Sequence, residues 1–365
     1  MDDVVLWIVV ATALAFDFTN GFHDTANAVA TSISTRAMGP RTAVSMAAVL
    51  NFVGAFISLE VAATVASGIV NADLIEPEIV FAGLVGAITW NLATWYWGLP
   101  SSSSHALIGG VAGAAFAAAG PDAVFGSGLI EKVAVPALVA PILAMLTAGS
   151  AILVAYRIIG RVSPGPVSRG FRLGQILSGG LFSLSHGTND AQKTMGIIFL
   201  ALIASGHAQE SDSVPVWVVV SAASAIAAGT YAGGWRIIKT MGSRIIKMDP
   251  AQGFAAQASG AAVIFSASAV GFPLSTTHTM SGGIIGAGAA KRASAVRWGV
   301  AGNIVTAWVL TLPAAALVGA VTYGLIWVLG ADSFGPIIVA GAMLAALTAV
   351  ALRRLAAGRT LTAAS

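Results

Sequence analysis

The chain has 365 residues, 57% of them hydrophobic and only 9% charged, with a formal net charge of +3. A soluble domain carries about 25% charged residues, so this composition cannot clothe a water-facing surface, and it excludes a soluble enzyme. The basic residues sit beside apolar stretches and give no nucleic-acid signal, while the absence of cysteine removes disulfides and thiolate chemistry.

Long apolar runs predict membrane-spanning helices in chain order over residues 4–34, 42–65, 78–97, 133–156, 173–205, 215–235, 253–270, 298–329 and 335–352. Two shorter apolar pieces, 101–119 and 275–290, each follow Gly and Pro and read as the returning arms of helical hairpins. The period-two alternation of an outer-membrane barrel is absent. The fold expected is therefore an all-α polytopic membrane protein. Met1-Asp2-Asp3 is acidic and no cleavage-site pattern follows the first apolar run, so a cleaved signal peptide is not expected.

Charge sets the orientation, because loops rich in Lys and Arg stay in the cytoplasm. Arg36 and Arg41, the four arginines between 157 and 172, the basic groups at 236–247 and 291–297, and the tail at 353–359 hold 16 of the 18 basic residues. The intervening loops carry Asp73, Glu76, Glu78, Asp122, Glu131, Glu210, Asp212 and Asp332. One alternation satisfies them all, with the N-terminus outside and the C-terminus inside. The domains expected are a first membrane repeat at 1–156, a cytoplasmic linker at 157–172, a second membrane repeat at 173–352 and a cytoplasmic tail at 353–365.

Two motifs recur in the same order. Gly21-Phe22-His23-Asp24 and Asn27 pair with Gly187-Thr188-Asn189-Asp190 and Lys193 at an offset of 166 residues. Gly98 and Pro100, Ser101-Ser102-Ser103-Ser104-His105 and Gly109-Gly110 pair with Gly271 and Pro273, Leu274-Ser275-Thr276-Thr277-His278 and Gly282-Gly283 at an offset of 173. The charge alternation puts the copies in opposite senses across the membrane. This is an inverted-topology repeat with two hydroxyl-rich helical hairpins, a construction that secondary transporters use to build a midplane site.

Charged groups inside membrane spans are costly and mark function by default; here they are Asp17, Asp24, Glu60, Asp190 and Lys193. Asp24 and Asp190, with Asn27, Asn189 and Gln192, offer hard oxygen ligands for a small cation, or accept a proton. Lys193 is read as neutralising Asp190, and Glu60 and Asp17, which have no copy, as structural or surface-facing. At each hairpin tip, Pro followed by hydroxyl residues opens a helix. Free backbone N–H groups and Ser or Thr donors then converge there as an anion site, against the plainer reading of N-caps. His23, His105, His186 and His278 lie in these motifs. With no HExxH or GxSxG pattern, hydrogen bonding or proton handling is expected of them rather than hydrolysis.

These residues resemble the inorganic phosphate transporter family, in its bacterial low-affinity branch. The resemblance rests on Asn20 to Thr31, on Ser185 to Gly196 and on both hairpins, and it covers essentially the whole chain. It implies a multi-pass symporter of the cell inner membrane, a homodimer, carrying inorganic phosphate or its neutral complex with a divalent metal. It implies Ser102, Ser103, Ser104, Ser275, Thr276 and Thr277 as phosphate ligands, and His23, Asp24, Asn27, Asn189 and Asp190 as the coupling group. Asp24 and Asp190 would be the ligands if sodium is the coupling ion. The His at position 23 departs from the sodium-coupled pattern and points to protons. A sodium-coupled phosphate symporter, a sulfate permease and an anion channel are the alternatives, and no cofactor is expected.

Overall fold

The computed structural model describes residues 2–160, 162–330, 334–346 and 348. These are helical, apart from loops and an isolated bridge between Val70 and Val124. The first half comprises α1 (Asp2–Ser34), α2 (Pro40–Gly54), α3 (Glu60–Ser67), α4 (Pro77–Trp97), α5 (Ser103–Ala119) and α6 (Gly126–Leu129), which runs through a π-helical turn at Ile130–Ala134 into α7 (Val135–Ile159). The second comprises α8 (Pro164–Ala204), α9 (Val216–Ala232), α10 (Trp235–Lys239) with a π-helical turn at Thr240–Arg244, α11 (Pro250–Ser268), α12 (Thr276–Lys291) and α13 (Trp298–Val328). A further helix, α14 (Gly335–Ala346), follows. Proline opens α2, α4, α8 and α11, at the position where its missing N–H costs nothing and its φ suits a helix.

Asp3–Ser34, Pro77–Trp97, Gly126–Ile159 and Trp298–Val328 are each long and apolar enough to cross a membrane. Three expected elements differ in detail. The run at 42–65 is broken between α2 and α3, and that at 215–235 continues from α9 into α10 with a bend of 58°. The expected linker at 157–172 is helical at both ends, because Pro164 starts a 41-residue helix about 60 Å long instead of ending one. The last residues of the run at 335–352 and the tail at 353–365 lie outside the described residues.

The interior is layered. One apolar cluster collects α1 up to Phe16, α3, the outer parts of α4 and α5, α8 from Ala191, and α9. The other collects α1 from Ala26, α2, α8 at Phe182, α10, and the outer parts of α11 and α12. Between them lies a polar layer, made on α1 by Asp17, Thr19, Asn20, His23, Asp24 and Thr25, and on α8 by Ser183, Ser185, His186, Thr188, Asn189 and Asp190, all buried. Thus α1 passes from the first cluster to the second and α8 from the second to the first. The α4–α5 hairpin enters the polar layer from the first cluster and the α11–α12 hairpin from the second.

Each hairpin is walled by the long helix of the other half. A Cβ on Gly109 or Gly113 of α5 would lie 2.5 Å from Leu312 O or 2.2 Å from Ala316 O on α13. On Gly282 or Gly286 of α12 it would lie 2.3 Å from Pro141 O or 2.1 Å from Met145 O on α7. Glycines four apart let the backbones touch, which is how helices associate in lipid, where no hydrophobic effect drives them together. The outward faces of α7 and α13 carry exposed Leu138, Ile142, Leu146, Val309, Leu317 and Val321, a surface fit for acyl chains and not for water.

Candidate functional site

The hairpin tips and the two Asp motifs meet in the polar layer. Ser102 is the N-cap of α5 and Ser275 the N-cap of α12. Their hydroxyls accept from His105 N at 3.1 Å and His278 N at 3.2 Å. Both readings of the hydroxyl runs therefore apply, to different residues. Ser102 and Ser275 cap their helices, and the next two hydroxyls of each tip point into the layer. The first-turn N–H groups of Ser103, Ser104, Thr276 and Thr277 precede each helical ladder and lie at the positive ends of α5 and α12.

Asp24 is the hub. Ser103 Oγ donates to its Oδ1 at 3.3 Å, Thr277 Oγ1 to Oδ1 at 3.3 Å and Thr276 Oγ1 to Oδ2 at 3.4 Å, while His23 Nδ1 lies 2.6 Å from Oδ1. Thr276 Oγ1 also lies 3.2 Å from Asp190 Oδ2, so a single hydroxyl spans both carboxylates. Asn27 Nδ2 donates to Thr277 Oγ1 at 2.9 Å. On α8, Asp190 is held by Lys193 Nζ at 2.5 Å and His186 Nε2 at 3.1 Å. Asn189 Nδ2 donates to Ser268 Oγ at 2.8 Å and to Phe272 O at 3.2 Å. Ser104 Oγ accepts from Lys193 at 2.6 Å and donates to Leu274 O at 3.2 Å, joining one tip to the other.

All eleven expected site residues thus share one buried layer, with Ser102 and Ser275 placed as caps. Glu60 is exposed and Asp17 fully buried. Sequence reading missed Thr94, whose Oγ1 lies 3.1 Å from His23 Nε2, and Asn51, 3.2 Å from His186 Nδ1 and donating to Thr230 Oγ1 at 2.7 Å. They belong to neither motif. His105 and His278 face each other edge-on with ring centroids 4.7 Å apart, and His278 stacks on Trp308.

Chemically, the layer combines anion donors with cation ligands. Oxygens of Asp24 and Asp190 and a ring nitrogen of His186 lie within 4.8 Å of one another. Asn27 Oδ1 and Asn189 Oδ1 are buried without a hydrogen-bond partner among the described residues, hard oxygens of the kind that small cations take.

A buried polar layer inside an apolar helical body, met by the tips of two helical hairpins, is the arrangement of a multi-pass membrane transporter. The sequence profile of the Phosphate transporter family matches residues 20–165 and 161–319. The "Probable low-affinity inorganic phosphate transporter" of Mycobacterium tuberculosis (strain ATCC 25618 / H37Rv) is 56% identical over 327 residues, covering 89% of this chain and 78% of that protein. Its namesakes from Rhizobium meliloti (strain 1021) and Bacillus subtilis (strain 168) are 50% and 46% identical, covering 86% and 87% of this chain and 94% and 95% of themselves. A solved structure, "The sodium-dependent phosphate transporter", superposes with a TM-score of 0.80 at 26% identity, over 90% of this chain and 100% of that one. The chain belongs to the phosphate transporter family.

Proposed function

We propose that this protein is a secondary active symporter importing inorganic phosphate across the cell inner membrane by alternating access, with protons as the coupling ion. The observation that carries this reading is the engagement of tip hydroxyls by carboxylates: Ser103, Thr276 and Thr277 all donate to Asp24. A phosphate anion beside two buried carboxylates is strongly disfavoured at low dielectric unless positive charge enters with it. A cation or proton at Asp24 removes the acceptor that holds those hydroxyls and releases them to the anion. Binding of the two cargoes is thereby linked, which is the requirement for symport.

The two halves form an inverted repeat in this reading, residues 1–156 and 173–352, with the N-terminus outside and the C-terminus inside. Support comes from the opposite passages of α1 and α8 through the polar layer and from each hairpin resting on the other half's long helix. Rocking of one hairpin and its wall against the other would expose the layer to each side in turn. Ser103, Ser104, Thr276 and Thr277 bind phosphate, with Ser102 and Ser275 presenting the helix ends. Asp24 and Asp190, with His23, Asn27 and Asn189, form the coupling group. A homodimer and passage of a neutral metal-phosphate complex follow from the family resemblance.

Sodium coupling is the second reading, favoured by the unpartnered amide oxygens of Asn27 and Asn189 and by the sodium dependence of the solved relative. The test is radiolabelled phosphate uptake into proteoliposomes under an imposed proton or sodium gradient, with sulfate as competitor. Proton-driven, sulfate-insensitive accumulation is expected. Sodium-driven uptake transfers the carboxylates to sodium, block by sulfate changes the cargo, and flux following the anion gradient alone would make the protein a channel.

A further inference from the structure

Lys193 is 1% exposed, deep in the polar layer. Its Nζ donates to Asp190 Oδ1 at 2.5 Å, Ser104 Oγ at 2.6 Å and Leu274 O at 2.7 Å. An ammonium has three N–H donors, and each finds one oxygen. A carboxylate, a hydroxyl and a main-chain carbonyl are also the donor set that a hard metal cation takes.

The internal repeat gives this position a counterpart. The 166-residue offset that aligns Asp190 with Asp24 aligns Lys193 with Asn27, and the 173-residue offset aligns Thr277 with Ser104. The contacts obey the same correspondence, since Asn27 Nδ2 donates to Thr277 as Lys193 donates to Ser104. The two places therefore correspond in sequence position and in this contact, and differ in charge. Beside Asp24 stands a neutral amide whose Oδ1 is buried and unpartnered. Beside Asp190 stands a fixed positive charge that engages one oxygen each of Asp190, Ser104 and Leu274.

We infer that Lys193 is a tethered cation: its ammonium fills the position beside Asp190 that the symmetry of the fold would otherwise leave to an ion from solution, so that external cations couple at the Asp24 side. This rests on the reading of the chain as a cation-coupled symporter. Simple structural neutralisation of Asp190 differs in one respect. It gives no reason for the place vacated by Lys193 to select a small cation.

The test uses the full chain, with sodium as probe. Radiolabelled sodium binding at saturating phosphate is measured for wild type, for Lys193→Asn, which copies the other half, and for Lys193→Asn combined with Asp190→Asn. Lys193→Asn is expected to bind an additional sodium per chain, and the double variant is expected to lose it. In proteoliposomes, Lys193→Asn is expected to move more sodium per phosphate than wild type does. A monodisperse Lys193→Asn protein that binds no more sodium than wild type overturns the inference. If Lys193→Asn unfolds in sodium-free buffer, recovery is compared in sodium and choline chloride. Rescue by sodium alone supports the tethered cation, and equal behaviour in both salts overturns it. Failure of wild type to accumulate phosphate under any gradient would instead refute the transport reading, and the binding comparison would still decide the role of Lys193.

Discussion

Replacing Asp24 by Asn separates charge from shape. The amide keeps an acceptor oxygen for Ser103, Thr276 or Thr277 and can still meet His23, so the packing of both tips is retained. What disappears is the negative charge. For a cation held about 4 Å from that carboxylate at an effective dielectric of about 20, the lost attraction is about 4 kcal/mol. That corresponds to roughly a thousandfold in cation affinity. Loss of stability should be far smaller, about 1 kcal/mol for a weakened hydrogen-bond set. In proteoliposomes Asp24→Asn is therefore expected to abolish concentrative phosphate uptake under any imposed gradient, while its unfolding temperature in detergent stays near that of wild type. Near-normal accumulation would refute the reasoning, because the hub carboxylate would then be irrelevant to coupling.

Asp190→Asn should behave differently despite its matching position, since it strands the Lys193 ammonium in the interior. A cost of about 3–5 kcal/mol should appear as a large fall in unfolding temperature, largely recovered when Lys193→Met is added. Ser103→Ala and Thr276→Ala each remove one inward-facing donor worth about 1 kcal/mol, so the half-saturation concentration for phosphate should rise about fivefold. Ser102→Ala should instead cost about 1 kcal/mol of stability through the lost cap, with a smaller kinetic effect. Gly286→Ala drives a methyl into Met145 O at 2.1 Å and should destabilise by about 2 kcal/mol. Gly299→Ala, with nothing within 4 Å, is the neutral control for the same thermal assay.

The paired sequence motifs were readable from the chain. Asp24 and Asp190 stood out because a carboxylate inside an apolar run has no ordinary reason to be there, and the tips because Pro, hydroxyls, His and Gly-Gly recurred in register. Thr94, Asn51 and Thr230 were not readable. A lone hydroxyl or amide on a membrane helix can bond its own backbone, and only the fold brings His23 and His186 to them. The helical start of α8 within 157–172 was not readable for a local reason: Pro164-Gly165-Pro166 reads as a breaker, yet proline at the first position starts the helix. Lys193 was recognised as the partner of Asp190, but its bonds to Ser104 and Leu274 O come from the opposite tip and from its own half's tip, which sequence spacing does not bring together.

The exchange of walls between the halves also governs how the protein is made. The α4–α5 hairpin lies against α13, which is synthesised about 200 residues later, a delay of roughly ten to forty seconds at ordinary elongation rates. For the first part of that interval the first hydroxyl tip lacks Lys193, for most of it Leu274, and for all of it the long helix α13. The nascent first half must therefore wait in an open, loosely packed form, and the whole protein closes only when the last long helix inserts. The two halves made as separate chains should accordingly accumulate only when produced together, each serving as the other's assembly partner.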